Sequence, residues 1–353
     1  MRRALSPALR AARDGLPQRF ARPFSSAAPP PPPPDTTHFG AATIPAADKQ
    51  RRVGEVFHRV AESYDVMNDL MSAGVHRLWK DEFVRMAGSI VTPGAWAGPK
   101  AGRGGTPTPC VWGPPAAPLM AHRPSRSLHP RSPPPPPPLT HTGDRETVVL
   151  DVAGGTGDIA FRIREAMQRS FVRPRAPPRI IVTDINASML QVGRERAAAR
   201  GLGGGDGSGG GGDGGPTLEW REGNAERLDW QPDASVDLYT IAFGIRNVTR
   251  VDAALREAHR VLRPGGRFMC LEFSRVTLPP LAALYDAYSY AVIPALGGAV
   301  ANDRASYQYL VESIRRFPDQ GTFADMISDA GFSGVQWRDF SFGVCAVHSG
   351  VKL

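Results

Sequence analysis

The sequence predicts an α/β fold built on a doubly wound, mostly parallel sheet that ends in a C-terminal antiparallel hairpin. Three observations predict it. Short apolar runs alternate with amphipathic stretches from residue 146 onward, as in chains that form strands and helices in turn. The first apolar run is followed at once by a cluster of glycines. The chain then closes with two strand-like runs, 334–340 and 343–349, that are near enough to pair as a hairpin.

The parallel strands can be assigned in order. Val148–Val152 is a continuous apolar run, which is typical of a strand buried on both faces. The others are expected at 179–184, 218–221, 236–243 and 267–273. Helices are expected between them at 158–169, 187–200 and 253–262, with right-handed crossovers. A later helix is predicted at 322–330, with Thr322 as its N-cap and Gly331 at its end.

Two helical segments are predicted outside this alternation. Apolar residues recur at helical spacing between Val53 and Val60, so residues 48–62 are expected to form an amphipathic helix that covers the ligand site. Residues 281–300 are rich in Leu, Ala, Tyr and Val, and a buried helix is the default prediction for them.

Three stretches lack the composition of a folded core. Residues 1–34 and 92–145 hold 24 of the 35 prolines, and residues 201–215 hold 11 glycines in 15 positions. We expect a disordered proline-rich insertion at 92–145 and a flexible glycine-rich loop at 201–215. The chain is therefore divided into an N-terminal segment (1–34), a helical cover (35–91), the insertion and one large domain (146–353).

The first 28 residues have the composition of an organelle transit peptide. They hold six arginines, one acidic residue and a Ser-Ser pair at 25–26, followed by a proline tract at 29–34. The density of arginine and the scarcity of serine favour import into mitochondria over import into plastids. A disordered basic tail is the alternative interpretation.

Charge and cysteine counts exclude several classes of function. The formal net charge is +8, but residues 1–34 and 92–145 each carry about +5, which leaves about −2 for the rest. The folded part therefore lacks the basic excess of a nucleic-acid-binding protein.

The chain has three cysteines, Cys110, Cys270 and Cys345, and no two of them form a C-x-x-C pair, so neither a disulfide framework nor a metal site is expected. No uncharged apolar run of 18 residues is present, so no membrane span is expected.

The glycines after the first strand predict a nucleotide site. Gly154, Gly155 and Gly157 surround Thr156, where they let the backbone turn tightly and approach a ligand. The helix that follows presents free N–H groups at its N-terminus. Asp184 ends the second strand, where a carboxylate suits the two hydroxyls of an adenosine ribose. Residues 155–160 match the dinucleotide fingerprint G-x-G-x-x-A. At this point the sequence is therefore compatible with a nicotinamide oxidoreductase and with an enzyme that uses a methyl donor.

Later features favour the methyl donor. Asn224 and Ala225 follow the third strand, where an adenine edge can be read, and an Arg-Pro-Gly-Gly turn at 263–266 precedes the fifth strand. With the C-terminal hairpin, this layout resembles the class I methyltransferases, whose methyl donor is S-adenosyl-L-methionine.

Motifs outside the nucleotide site resemble the ubiquinone/menaquinone C-methyltransferase family. They read TTHFG at 36–40, YDVMNDLMS at 64–72, HRLWK at 76–80, FGIRNV at 243–248, DAYSY at 286–290 and AND…SYQYL…SIR at 301–315. They occur in order over nearly all of the chain outside the three biased stretches. The resemblance implies a class I methyltransferase fold, S-adenosylmethionine as cofactor, and methylation of the ring of a polyprenyl benzoquinol in ubiquinone biosynthesis.

The resemblance also implies donor-binding positions at Thr156, Asp184, Asn224 and Ala225. The glycine cluster adds Gly154, Gly155 and Gly157, and the position before Phe-Gly adds Ala242. Bacterial members have a serine at the last of them, just before Phe-Gly. This chain has an alanine, so only a backbone contact with the donor is expected there.

Ring methylation requires an ionised ring oxygen. A phenol pKa near 10 leaves the phenolate unfavourable by about 4 kcal/mol at neutral pH. Arg246 is predicted to stabilise the phenolate electrostatically, and Asn247 to orient the same oxygen. Tyr64, Asp65 and His76 are predicted as base or orienting groups. The structural alternatives are an Arg246 that pairs with a carboxylate, and packing roles for Tyr64 and His76.

Partners and location are implied by the same resemblance. We expect a peripheral protein on the matrix side of the mitochondrial inner membrane, within a multi-subunit quinone-synthesis complex and able to form a homodimer, with no nucleic-acid partner. Residues 281–300 are then a candidate apolar wall for the polyprenyl tail. The competing hypotheses are a plastid enzyme acting on a phylloquinone or menaquinone precursor, a nicotinamide-dependent oxidoreductase, and a non-catalytic scaffold.

Overall fold

The computed structural model describes residues 36–60, 68–69, 72, 74–88, 145–169, 176–202, 215–301 and 303–353. Strands β1 (Thr36–Phe39) and β2 (Ala42–Pro45) form an antiparallel hairpin that leads directly into helix α1 (Ala46–Val60). Helix α2 spans Val75–Met86. The helix predicted at 48–62 is confirmed with an earlier start, and its residues 61–62 lie outside the described part.

Between residues 148 and 273 the strands and helices follow one another in the predicted order. Four helices and a final pair of strands come after them, and the helix Arg304–Arg316 was not predicted. In chain order these elements are β3 (Val148–Val152), α3 (Asp158–Gln168), β4 (Arg179–Asp184), α4 (Ala187–Ala199), β5 (Thr217–Glu222), β6 (Val236–Ala242), α5 (Val251–Val261), β7 (Leu262–Phe273), α6 (Pro279–Ala291), α7 (Ile293–Ala301), α8 (Arg304–Arg316), α9 (Gln320–Asp329), β8 (Ser333–Phe340) and β9 (Cys345–Val351). Short 3₁₀ helices occupy Ile245–Asn247 and Ser341–Gly343.

One seven-stranded sheet is built from β3 to β9. Its strand order is β5-β4-β3-β6-β7-β9-β8, in which the first five strands are parallel and β9 pairs antiparallel with both β7 and β8. The predicted doubly wound sheet with a C-terminal hairpin is thus confirmed. The strand order reverses direction between β3 and β6, which is where open α/β sheets bind ligands.

The core lies on both faces of this sheet. All five residues of β3 are buried, and alternate residues enter different clusters, because successive side chains of a strand point to opposite faces. Val149 packs in one cluster with Phe83 of α2. Leu150 packs in the other with Leu255 of α5 and Phe323 of α9.

Several boundaries differ from the sequence prediction by a few residues, and the contacts of the structure explain two of the differences. The strand predicted at 267–273 begins at Leu262, because Leu262 already pairs with Val236 before the register shifts. The N-cap of α9 is Asp319 and not Thr322. The Oδ1 atom of Asp319 accepts a hydrogen bond from the backbone N–H of Thr322 at 2.9 Å, which satisfies a donor of the first helical turn.

The prediction of one buried helix at 281–300 is wrong. The chain forms two helices there, α6 and α7, and Pro294 lies in the first turn of α7, where a missing N–H costs no hydrogen bond. Leu284 and Tyr290 of α6 are 66% and 55% exposed, and of its residues only Ser289 is buried. An apolar helix therefore lies on the surface.

Two cysteines lie on neighbouring strands. Cys270 of β7 and Cys345 of β9 have no exposed area. Burial raises the pKa of both thiols well above the ordinary value.

Several predicted segments lie outside the described residues. They are the N-terminal segment 1–34, nearly all of the insertion 92–145 and most of the loop 201–215. Tyr64 and Asp65 also lie outside them. Within the residues that are described, no helix combines the length and apolar character needed to cross a membrane.

Candidate active site

A cavity opens at the carboxyl ends of β3, β4, β5 and β6, at the point where the strand order reverses. Its sheet side is formed by the loops that follow these strands. Helix α1 supplies Gln50, Val53, Gly54 and Phe57 from the other side. The helix predicted to cover the ligand site therefore lines this cavity.

The loop after β3 holds its backbone close to β4. The N–H of Gly154 donates to the carbonyl oxygen of Thr183 at 3.1 Å, and a Cβ at position 154 would lie 2.7 Å from Cγ1 of Val182. Gly155 has a φ of 53°, which lies in the left-handed region. Glycine is required at position 154 because a side chain would clash with β4. At position 155 it is favoured by the left-handed backbone conformation.

Asp184 ends β4 with both carboxylate oxygens fixed by backbone groups. Oδ2 accepts from the N–H of Gly155 and Oδ1 from the N–H of Asn186, each at 2.9 Å. Burial raises the pKa of Asp184 to about 6, and these hydrogen bonds oppose the rise. The carboxylate is therefore charged at neutral pH, and each oxygen keeps capacity to accept a ligand hydroxyl.

Four other predicted donor-binding residues line the cavity: Thr156, Asn224, Ala225 and Ala242. The hydroxyl of Thr156 accepts from Nη1 of Arg196 at 3.0 Å. Oδ1 of Asn224 accepts from the N–H of Glu226 at 2.9 Å, which fixes the orientation of that amide.

Gly157 does not line the cavity. It caps α3 with a φ of 82°, and a Cβ there would lie 2.5 Å from the ring of Trp220. The prediction that Gly157 contacts the donor is therefore corrected: glycine is needed there because a side chain would clash with Trp220.

Four charged residues of the cavity are not among the predicted site residues: Lys80, Asp151, Asp158 and Glu226. Lys80 of α2 is buried, and its Nζ donates to Oδ2 of Asp158 at 2.8 Å. Asp151 of β3 has no exposed area, and its Oδ1 accepts from Thr240 at 2.7 Å. Burial raises the pKa of Asp151 to about 7. A signal existed for Asp151, since it is the one charged residue of an otherwise apolar strand.

Lys49 anchors the covering helix beside the cavity. Its buried Nζ donates to the carbonyl oxygen of Val248 at 2.8 Å. Burial lowers the pKa of Lys49 to about 8, and the nearby carboxylate of Glu226 opposes that shift.

Arg246 lies after β6, as predicted, but it does not line the cavity. Its Nη1 donates to Oε1 of Glu272 at 2.8 Å and to the carbonyl oxygen of Phe243 at 2.6 Å, and both ion-paired side chains are almost fully buried. Burial raises the pKa of Glu272, and the guanidinium opposes that rise. The structural alternative, an arginine paired with a carboxylate, is what this structure contains.

Asn247 follows Arg246 and does line the cavity. Its Oδ1 accepts a hydrogen bond from the hydroxyl of Tyr309 at 3.0 Å. Its Nδ2 is buried and has no hydrogen-bond partner among the described residues. The structure therefore brings one of the predicted catalytic residues to the cavity, with a buried donor that no described residue satisfies.

His76 is placed away from the cavity. It lies in the first turn of α2, buried, with Nδ1 2.8 Å from Oγ of Ser72 and Nε2 3.7 Å from Oδ1 of Asp69. Burial is the largest cause that lowers the pKa of His76, followed by the charge of Lys80. These contacts correspond to the packing alternative and not to a catalytic group.

The residues of the cavity fit an adenosine-bearing ligand. The glycine bend brings the backbone to it, Asp184 offers oxygens to ribose hydroxyls, and a Cβ on Gly54 would meet nothing within 4 Å, so α1 leaves open space above the bend. These contacts serve a methyl donor and a dinucleotide alike. Within the described residues, no group of three or more His, Cys, Asp or Glu side chains could hold a metal ion.

Comparison with known proteins points to methyl transfer. The sequence model of the ubiE/COQ5 methyltransferase family matches residues 46–95 and 140–352. The chain is 45% identical over 318 residues to the ubiquinone/menaquinone biosynthesis C-methyltransferase UbiE of Bradyrhizobium diazoefficiens, covering 90% of this chain and 98% of that protein. It is 44% identical over 325 residues to the mitochondrial 2-methoxy-6-polyprenyl-1,4-benzoquinol methylase of Oryza sativa subsp. japonica, covering 90% and 88%. The protein of that name in Danio rerio is 42% identical over 344 residues, with 90% and 85% covered.

Proposed function

Because this chain belongs to the ubiE/COQ5 methyltransferase family, we propose that it is an S-adenosylmethionine-dependent C-methyltransferase of ubiquinone biosynthesis. Its substrate is a polyprenyl benzoquinol of the kind for which the rice and zebrafish relatives are named. The observation that carries the proposal is the family match over residues 46–95 and 140–352, and the glycine bend held against Asp184 supplies the site for the donor.

The sheet side of the cavity binds the donor. Asp184 accepts hydrogen bonds from the ribose hydroxyls, and the backbone around Gly154 and Gly155 forms the wall beside them. S-adenosylmethionine supplies an electrophilic methyl group on its sulfonium when it is bound. Fixed groups on both sides of the cavity hold the reactants in alignment, which removes much of the entropic part of the barrier.

The loop after β6 acts on the ring oxygen. Asn247 donates from Nδ2 to that oxygen and stabilises its ionised form. Arg246 is a positioning residue in this proposal, because Glu272 already compensates its charge. Its hydrogen bond to the carbonyl oxygen of Phe243 fixes the loop that carries Asn247.

The covering helix excludes water from the reacting groups. Val53 and Phe57 place apolar side chains over the cavity. Exclusion of water strengthens the hydrogen bond from Asn247 to a charged oxygen, because the local dielectric constant falls.

Helix α6 offers a surface for the apolar tail of the substrate. Leu284, Tyr290 and Val292 beside it are exposed, and apolar surface of this kind is stabilised by contact with a polyprenyl chain or a lipid surface. We extend the proposal to peripheral contact with the mitochondrial inner membrane on its matrix side. We also propose that the protein is part of a multi-subunit quinone-synthesis complex and that it forms a homodimer.

The test is transfer of a labelled methyl group. The purified protein is incubated with ¹³C-methyl S-adenosylmethionine and reduced 2-methoxy-6-polyprenyl-1,4-benzoquinol, and the labelled ring position is located by NMR. We expect one new C–CH₃ group on the ring. Label on an oxygen, or no transfer together with binding of NADH, would overturn the proposal in favour of O-methylation or of the nicotinamide-dependent alternative.

A further inference from the structure

The motif SYQYL at 306–310 has no role in the site described so far. It lies on α8, which supplies no residue to the lining of the cavity. One of its side chains nevertheless reaches a cavity residue. The hydroxyl of Tyr309 donates to Oδ1 of Asn247 at 3.0 Å across 62 positions of sequence.

The ring of Tyr309 is held from two directions. It stacks on the ring of Phe39 of β1, with centroids 4.4 Å apart and planes 24° from parallel. It also packs against Val53 and Val56 of α1. Only 6% of the residue is exposed, so the hydroxyl has a fixed position.

The direction of the hydrogen bond determines which way the Asn247 amide faces. A tyrosine hydroxyl has one proton, and here it is given to Oδ1. Burial raises the pKa of Tyr309 to about 12, so the hydroxyl keeps this proton at neutral pH. The NH₂ group of Asn247 is thereby left as the donor that lacks a partner among the described residues.

We propose that Tyr309 is a positioning residue for the methyl transfer: its hydroxyl holds Oδ1 of Asn247 so that Nδ2 donates to the ionised oxygen of the ring. The inference rests on the proposed function. Without the hydroxyl, the Asn247 amide can rotate and present its oxygen to the ring, which repels a phenolate. The motif on α8 then has a chemical reason in addition to packing.

The experiment uses Tyr309→Phe, which keeps the stacked ring and removes one oxygen atom. Wild-type and variant proteins are assayed with labelled S-adenosylmethionine and a short-tailed demethyl benzoquinol across pH. We expect kcat to fall about tenfold and the pH of half-maximal kcat to rise by about one unit, since tenfold weaker stabilisation of the phenolate corresponds to one pKa unit. The dissociation constant of S-adenosylmethionine should stay within about twofold.

A double-mutant cycle separates positioning from packing. Asn247→Ala combined with Tyr309→Phe should be no slower than Asn247→Ala alone, because Tyr309 acts only through Asn247. The matched control is Tyr307→Phe, which removes a hydroxyl from the same helix two residues away. It should leave the pH profile unchanged.

Each outcome decides the inference. An active wild-type enzyme whose pH profile is the same in Tyr309→Phe overturns the inference and leaves the proposed function standing. Additive effects in the cycle also overturn it. A wild-type protein that transfers no methyl group overturns the proposed function and this inference with it. If Tyr309→Phe does not fold, Asn247→Ala must itself raise the pH of half-maximal kcat, and an unchanged profile contradicts the inference.

Discussion

The two sides of the cavity are built in different ways. On the sheet side, the backbone N–H groups of Gly154 and Gly155 donate to the carbonyl oxygen of Thr183 and the carboxylate of Asp184 on the neighbouring strand. On the helical side, Lys49 anchors α1 to the carbonyl oxygen of Val248, and Tyr309 of α8 packs against α1 and donates to Asn247. The difference indicates that the sheet side tolerates almost no change in shape, whereas the helical side can be altered residue by residue.

The largest effect is expected from Gly154→Ala on the sheet side. The new Cβ would lie 2.7 Å from Cγ1 of Val182 and 2.8 Å from Oδ2 of Asp151, so the bend must move. We expect kcat/KM to fall about 100-fold or more, which corresponds to about 2.7 kcal/mol. Steady-state kinetics and calorimetry of donor binding measure it.

Gly321→Ala is the control for this change. It lies in α9, where the nearest atom to a new Cβ is 3.7 Å away. Its kinetics should match those of the wild type. A Gly154→Ala enzyme of normal activity would show that the sheet side is not rigid in the way described.

The second largest effect is a pH dependence that belongs to Asp184. Its pKa is raised to about 6, so the carboxylate becomes protonated below that pH and can no longer accept from both ribose hydroxyls. We expect the dissociation constant of the donor to rise about tenfold for each pH unit below about 6. Asp184→Asn should bind weakly with no inflection near that pH, and an affinity that is constant down to about pH 5 in the wild type would contradict the assignment.

The same carboxyl group has the opposite effect on folding. Its folded-state pKa lies above the ordinary value of 3.8, so between about pH 4 and 6 the folded chain binds the proton more tightly than the unfolded chain. Its contribution therefore lowers the free energy of unfolding as pH rises through that window. Urea denaturation of wild type and Asp184→Asn, compared at both ends of the window, isolates this contribution.

A smaller effect is expected outside the cavity, on the exposed helix α6, from Leu284→Asp combined with Val292→Asp. Both side chains are exposed, at 66% and 37%, so the free energy of unfolding should stay within about 0.5 kcal/mol. We expect KM for a long-tailed quinol to rise about tenfold while a short-tailed quinol is methylated normally. Unchanged turnover of the long-tailed substrate by the folded variant would remove α6 as a surface for the tail.

The smallest effect is expected from Gly54→Ala in the covering helix. A Cβ there meets nothing within 4 Å, and alanine is favoured over glycine inside a helix by about 0.5–1 kcal/mol. The free energy of unfolding should rise by that amount in urea titrations. Donor affinity should fall only a few-fold, because the new methyl group enters the open part of the cavity. A loss of donor affinity as large as that expected for Gly154→Ala would show that the helical side is as intolerant of change as the sheet side.

Sequence patterns predicted the sheet side well because its constraints are local. A buried strand, its glycine bend and the acid at the end of the next strand follow one another within 40 residues, and each has a recognisable chemical reason. The helical side depends on contacts between distant segments. The bond between Tyr309 and Asn247, the partner of Arg246 and the exposure of α6 all arise from tertiary packing, which no periodicity of a single segment reveals.

The burial of Cys270 and Cys345 has a practical consequence. Thiols without exposed area and with a raised pKa react slowly with maleimides, because the thiolate is the reacting form. After replacement of Cys110, which lies outside the described residues, a cysteine introduced at an exposed position of α1 would carry a fluorophore selectively. The covering helix can then be followed by fluorescence while ligand enters.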